Sequence, residues 1–242
     1  MSICKSMKES IKVSIVLPTL NEEEGIGLTI DSIKKDEFEK RGMDLEIIVV
    51  DGKSTDKTVE IAKEKGAKVI IEPRRGYGRA YKTGLKEANG DIIVTGDADG
   101  TYPFDKIHEY IDLMLKENLD FITTNRFAGL AKEAMSFKHF FGNLILSITL
   151  RLLYGIKIRD SQSGMWIIRK KALEKIKPLE EFHDGMPFSE EIKIEMFRNR
   201  EIKAKEIPSC LYERKGKAKL QSWKDGWKNL KYLIKYRIKW TR

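Results

Sequence analysis

The sequence predicts an α/β fold, a mostly parallel central sheet flanked by helices with amphipathic helices toward the C-terminus, and three observations predict it. Short β-branched runs alternate with segments of helical apolar spacing, the mark of strands joined by crossover helices. Acidic and polar residues follow directly on three of those runs, at the carboxyl ends where an open α/β sheet presents its chemistry. The chain's 242 residues, 41% of them hydrophobic, suffice for one sizeable core.

The expected strands are Val13 to Leu17, Leu45 to Val50, Lys68 to Ile71, Asp91 to Thr95, Asp120 to Thr124, Trp166 to Ile168 and Lys203 to Ile207. Between them, helical spacing runs over Glu23 to Phe38, Lys57 to Lys65, Gly78 to Ala88, Asp105 to Glu117 and Glu190 to Asn199. Phe140 to Ile156 is the most apolar stretch, but Arg151 interrupts it short of the roughly 20 residues a bilayer span needs. It reads as a buried helix or as one lying in a membrane interface.

Charge is concentrated at one end. Arg214 to Arg242 holds eleven Lys or Arg against the single acid Asp225, leaving Met1 to Glu213 with thirty-five basic and thirty-six acidic residues. A nearly neutral body argues against a nucleic-acid-coating protein. In the tail, Trp223, Trp227, Leu230, Ile234 and Ile238 recur at helical spacing beside a stripe of Lys224, Lys228, Lys231, Lys235 and Lys239, with Tyr232, Tyr236 and Trp240 as further aromatics. This basic amphipathic helix suits either docking on a membrane surface, with aromatics at headgroup level, or packing on the core with a solvated lysine face. Cys4 and Cys210 form no Cys-x-x-Cys pair, and Met1 to Ser10 has no apolar h-region, so a reducing, cytoplasmic location is expected, peripheral on the membrane.

The chemistry collects at strand ends. Pro18-Thr19-Leu20-Asn21-Glu22 follows the first strand, Asp51-Gly52-Lys53-Ser54-Thr55-Asp56 the second, and Asp97-Ala98-Asp99 the fourth. Two carboxylates bracketing one residue in a loop after a buried strand can face a hard divalent cation that bridges phosphates. Arg74-Arg75-Gly76-Tyr77-Gly78-Arg79-Ala80 opens a helix and reads as an anion site or a solvated basic turn. Gly76-Tyr77-Gly78 leads to Tyr81 where a dinucleotide fingerprint needs glycine, and no Gly-x-x-x-x-Gly-Lys-Ser/Thr occurs. His108, His139 and His183 show no ligand or triad spacing.

These blocks, with Asn125-Arg126, Asp160-Ser161-Gln162-Ser163-Gly164 and Arg214-Lys215-Gly216-Lys217-Ala218-Lys219-Leu220 in the same order, resemble the family 2 glycosyltransferases of GT-A fold over about Val13 to Leu220. The branch most resembled is that of polyprenyl- or dolichyl-phosphate sugar synthases. The resemblance implies a catalytic domain over 11–220, with a nucleotide-sugar half (11–125) and an acceptor half (126–220), ahead of a basic helix at 221–242. It implies Pro18, Glu22 and Asp51 at the nucleoside, Asp97 and Asp99 at a Mg²⁺ or Mn²⁺ ion and the sugar diphosphate, and Arg126 at a phosphate. Ser163, Arg214 and Lys219 would face the acceptor or diphosphate. Thr101 departs from the pattern, standing where mannose synthases carry Gln.

The expected reaction is inverting transfer of a sugar from a GDP- or UDP-linked donor to a polyprenyl or dolichyl phosphate, inversion being implied by the family. A phosphate acceptor is ionised near neutral pH and needs no base. A saccharide or soluble acceptor would need one, and Asp184, Glu190 and Glu191 are the available acids. A nucleotidyltransferase and a non-enzymatic basic membrane- or RNA-binding module are the remaining alternatives; the module would leave the acids at the strand ends without a role.

Overall fold

The computed structural model describes residues 10–130, 137–216 and 222–240. Seven strands form one sheet: β1 (Ile11–Thr19), β2 (Met43–Asp51), β3 (Lys68–Ile71), β4 (Ile92–Thr95), β5 (Phe121–Leu130), β6 (Trp166–Arg169) and β7 (Ala204–Leu211). The helices are α1 (Glu23–Ser32), α2 (Lys35–Lys40), α3 (Thr58–Glu64), α4 (Tyr77–Glu87), α5 (Ile107–Lys116), α6 (Phe137–Tyr154), α7 (Lys170–Leu173), α8 (Phe188–Arg198) and α9 (Ser222–Trp240). Every expected strand is present. The expected helix from Glu23 to Phe38 is broken at Ile33, which is extended (φ −72°, ψ 113°), because the Ser32 hydroxyl turns back to the Thr29 carbonyl at 2.7 Å and ends α1.

Strand order is β3-β2-β1-β4-β6-β5-β7. The first four strands are mutually parallel, β6 runs antiparallel between β4 and β5, and β7 pairs parallel with β5. The pleat sorts side chains into two layers. Val13, Ile15 and Leu17 of β1 with Ile47 and Val49 of β2 face α1, α2, α3 and α5, while Val16, Ile48 and Val50 face α4 and α8. Full burial of each such side chain contributes about 1.5–3 kcal/mol. A third cluster joins Leu146, Leu150 and Tyr154 of α6 to Ile194 of α8 and Leu233 of α9.

The sheet opens where chemistry is needed. β1 keeps pairing with β2 as far as Thr19–Asp51, but its pairing with β4 ends at Val16–Thr95. Pro18, which has no N–H to give a ladder, therefore falls where β1 has already parted from β4. The connection from β1 runs to β2 on one side, while the chain returns from β3 to β4 on the other, so the strand order reverses here and opens a crevice at the carboxyl ends of β1 and β4.

Candidate functional site

The turns after β1 and β2 are stitched together by side chains. Asp51 is fully buried and accepts hydrogen bonds from the Thr19 hydroxyl (3.1 Å), the Ser54 amide (2.8 Å) and the Ser54 hydroxyl (2.5 Å). Asn21 is left-handed (φ 52°); its amide donates to Ser54 Oγ at 2.7 Å and its side-chain oxygen accepts from the Thr55 amide at 2.7 Å. The Glu22 amide donates to Thr58 Oγ1 at 2.8 Å, which fixes the entry to α1.

Asp97 and Asp99 leave β4 on a loop that lies against α1. A Cβ at Gly25 would stand 2.7 Å from the Ala98 carbonyl oxygen and from Asp99 Cα, so only glycine permits this approach. Asp99 Oδ1 accepts from the Thr101 amide (3.1 Å) and hydroxyl (2.6 Å), and Asp99 Oδ2 meets Arg214 Nη1 at 2.7 Å. The same guanidinium donates through Nη2 to Glu22 Oε1 at 3.1 Å. Burial and the neighbouring Asp99 charge push the half-buried Asp97 carboxyl up to about 7, against the pull of Arg126 and Arg214. The Tyr81 hydroxyl reaches Asp97 Oδ1 at 3.4 Å.

The blocks at Asn125–Arg126 and Asp160–Gly164 approach the Asp97–Asp99 loop, where the Arg126 charge acts on Asp97. The β5–β7 register shifts between Asn125 and Gly129, and that bulge turns Arg126 out of the ladder. Arg126 forms a two-pronged pair with buried Asp160, Nε to Oδ2 at 2.7 Å and Nη2 to Oδ1 at 2.9 Å. Ser163 is fully buried, its hydroxyl bonded to Thr124 Oγ1 at 2.7 Å, so in this structure it belongs to the loop's scaffold. Lys219, with the rest of 217–221, lies outside the described residues, as do Cys4, the leader, and the side chains of Trp223, Lys224, Lys239 and Trp240.

The glycine-rich piece before α4 is a packing device. Gly76 has φ 144°, and a Cβ there would stand 2.2 Å from the Asp184 carbonyl oxygen; at Gly78 it would meet the His183 carbonyl at 2.4 Å. Arg74 is turned onto Glu72 and Arg79 onto Asp184, which also holds Lys82. Asp184 is thus engaged by two cations. Glu191 accepts from the His183 amide and the Tyr232 hydroxyl. Glu190 is fully buried: Oε1 accepts from Gln162 Nε2 at 2.7 Å, Oε2 has no partner among the described residues, and burial raises the carboxyl above its ordinary range.

Sequence reasoning missed two groups. The hydroxyls of Tyr77, Tyr81 and Tyr102 converge on Gly164, whose amide donates to Tyr102 at 2.7 Å and where a Cβ would stand 2.6 Å from the Tyr77 hydroxyl. Lys193 is fully buried among the carbonyls of the 160–164 loop. Tyr77 and Tyr81 are spaced i, i+4 on α4, a signal that was available in the sequence; a lysine three residues after Glu190 reads as a solvated face.

Residues 14–177 match the family model described as glycosyl transferase family 2. The chain belongs to this family. Among similar proteins is the low-salt glycan biosynthesis hexosyltransferase Agl6 of Haloferax volcanii, 34% identical over 92% of this chain and 53% of the relative, so the chain spans about half that protein's length. The dolichyl-phosphate hexose transferase of the same organism is 29% identical over 88% of this chain and 89% of its own. A UDP-N-acetylglucosamine–dolichyl-phosphate N-acetylglucosaminyltransferase of Methanococcus voltae is 31% identical over 67% of this chain and 71% of its own. Solved structures support the GT-A fold of this family 2 member. Glucosyl-3-phosphoglycerate synthase of Mycobacterium tuberculosis with UDP superposes with a TM-score of 0.73 over 94% of this chain and 80% of that one, at 21% identity. Its complex with Mn²⁺, UDP and glucosyl-3-phosphoglycerate gives 0.70 at 22% identity, over the same shares of both chains.

Among the described residues no three or more His, Cys, Asp or Glu side chains gather to enclose a metal ion. The donor set nevertheless fits a divalent cation that takes its remaining ligands from phosphate and water. It offers two hard carboxylates on one loop, and a cationic guanidinium already stands against Asp99 Oδ2.

Proposed function

We propose that this chain transfers a hexose from a GDP- or UDP-linked donor to a polyprenyl or dolichyl phosphate at a membrane surface, with inversion at the anomeric carbon. The observation that carries the reading is the crevice between β1 and β4. Asp51, Asp97 and Asp99 follow the strands that border it, Arg214 pairs with Asp99, and Arg126 acts on the Asp97 charge, which supports Asp51 at the nucleoside and the two acids at the diphosphate. The division of labour proposed is 11–125 for the nucleotide-sugar and 126–220 for the acceptor, with 221–242 as the surface helix.

Pro18, Glu22 and Asp51 would hold the nucleoside and its ribose, Asp51 as a carboxylate kept in place by Thr19 and Ser54. Asp97 and Asp99 would hold Mg²⁺ or Mn²⁺, which when bound offsets the negative charge of the leaving diphosphate. Arg126, Arg214 and Lys219 are assigned to the phosphate groups of donor and acceptor, whereas Ser163, expected among them from the sequence, is buried against Thr124 and serves the scaffold of its own loop. The acceptor phosphate is already ionised, so the protein's part is to align it in line with the leaving diphosphate and to stabilise charge as the sugar passes through an oxocarbenium-like state.

The membrane part of the proposal rests on exposed apolar side chains of two helices. Trp227 (60% exposed), Ile234 and Ile238 project from α9 beside Lys228, Lys231 and Lys235, and Leu152 (80%), Phe141, Ile145 and Ile148 project from α6. Tyr232 and Tyr236 take no part in it, since their hydroxyls turn inward onto Glu191 and Glu195. No helix among the described residues is long and apolar enough to cross a membrane.

The test is a panel of labelled GDP- and UDP-sugars with polyprenyl phosphate and Mg²⁺ or Mn²⁺, read as label extracted into organic solvent. Label that appears with one donor and falls about 100-fold or more in Asp99→Asn supports the assignment; full activity in that variant removes Asp99 from the cation site. Glu190 favours a second reading, a hydroxyl-bearing saccharide acceptor, because it is a buried acid on α8 beside the 160–164 loop, its Oε2 has no hydrogen-bond partner among the described residues, and burial raises its carboxyl. Glu190→Gln separates the two: a hydroxyl acceptor loses turnover in that variant, whereas a phosphate acceptor retains it.

A further inference from the structure

The loop 160–164 is held by a buried side chain to which the proposed function gives no part. Lys193 of α8 is fully buried, and its ammonium donates to the Ser161 carbonyl (2.6 Å), the Ser163 carbonyl (2.7 Å) and Ser189 Oγ (2.9 Å), so all three of its donors are used. The Trp166 ring lies 5.3 Å below it. Buried beside it are Asp160, Ser161, Ser163, Ser147, Ser189, Thr124 and Glu190. Such a polar interior costs desolvation that methionine or leucine at 193 would avoid. Burial brings the lysine down to about 7, opposed by Asp160 and Glu190.

The output of this loop is Arg126. Asp160, one residue before the first carbonyl that Lys193 grips, aims the Arg126 guanidinium through two hydrogen bonds and also accepts the Arg126 amide at 3.1 Å. Asp160 in turn takes charge from both cations, which hold its carboxyl below its usual range against burial. At the loop's other end Gly164 is tied by Tyr102 and by Thr95 Oγ1 (2.9 Å to its carbonyl). Lys193 therefore holds the middle of the segment between Gly164 and Asp160, whose orientation rests on that grip together with the bond from its amide to Glu206 Oε1 at 2.9 Å.

We infer that Lys193 is a positioning residue. By gripping the Ser161 and Ser163 carbonyls it fixes Asp160, and through Asp160 it fixes the direction in which Arg126 meets a phosphate. The inference rests on the proposed role of Arg126, and the phosphate concerned is either that of the donor's diphosphate or that of the acceptor.

The experiment is a double-mutant cycle between Lys193→Met and Arg126→Gln on the full chain. One arm is calorimetric binding of pyrophosphate with Mg²⁺, which needs no acceptor; the other is the KM for a short-chain polyprenyl phosphate. The arm that Arg126→Gln weakens is the source of the phosphate. Lys193→Met is expected to weaken that same arm roughly ten- to hundredfold, as a misplacement of about 1 Å does, with the other arm unchanged and the double variant no worse than Arg126→Gln alone. Losses that multiply in the double variant, or a phosphate affinity unaltered by Lys193→Met, overturn the inference while leaving Arg126 in place. An Arg126→Gln variant unchanged in both arms overturns both together. If Lys193→Met fails to fold, Ser189→Ala, which removes one of the three acceptors and leaves the charge, is carried through the same cycle with a smaller loss on the same arm expected. Additive behaviour there overturns the inference equally.

Discussion

Gly25 leaves no space for a side chain, since a methyl there would press on the backbone of Ala98 and Asp99 at 2.7 Å. Gly25→Ala is expected to cost about 1–3 kcal/mol of stability and to move the Asp97–Asp99 loop, so that the donor KM rises more than the acceptor KM; denaturant titration and steady-state kinetics read the two effects. Glu72 offers a pH test of another kind. Arg74 first, then Thr83, pull its carboxyl from 4.5 down to about 2 against desolvation. A depressed carboxyl stabilises the fold above its unfolded value and loses that contribution as pH falls toward the folded one. Glu72→Gln should be about 1–2 kcal/mol less stable at pH 7, discounted because Arg74 is solvent-facing, and the gap should close between pH 4.5 and 2. The acids at the strand ends were readable from sequence because they sit directly after buried runs. Arg214 against Glu22 and Asp99, the inward Asp160–Arg126 pair and buried Lys193 were not, since each depends on where distant segments meet, and a sequence gives no distance across 192 residues.

At the scale of elements, period and composition located the helices and strands, while pairing direction was hidden. Trp166–Arg169 is four residues long, and nothing in three buried apolar positions followed by an arginine says that it enters the sheet antiparallel between two strands of the other sense. The C-terminal helix was legible as amphipathic, but the division of its faces was not: Leu230 and Leu233 go to the cluster with α6, whereas Trp227, Ile234 and Ile238 remain outside. Replacing those three exposed residues by serine should leave the melting temperature unchanged and lower partitioning onto anionic vesicles by about tenfold or more, given about 0.8 kcal/mol per buried methylene. Partitioning of the unaltered chain should also fall with added salt, as lysine–headgroup attraction is screened. Flotation with anionic and neutral vesicles at two salt concentrations reads both.

For the whole molecule, the order β3-β2-β1-β4-β6-β5-β7 has a consequence in time. β4 is made early, but the strand that covers its free edge, β6, begins only at Trp166, and β5, which is made between them, pairs with β6 and not with β4. A ribosome adding about 5–20 residues per second leaves that edge open for roughly 4–14 s while some 70 further residues are made. During this interval Ile92, Ile93 and Val94 present unpaired backbone to any other nascent chain. Ribosome-stalled chains ending before β6 should be protease-sensitive and prone to associate, and those extended past β7 should not. Lowering the rate of synthesis across 96–166 would lengthen this exposure and is expected to lower the yield of folded protein.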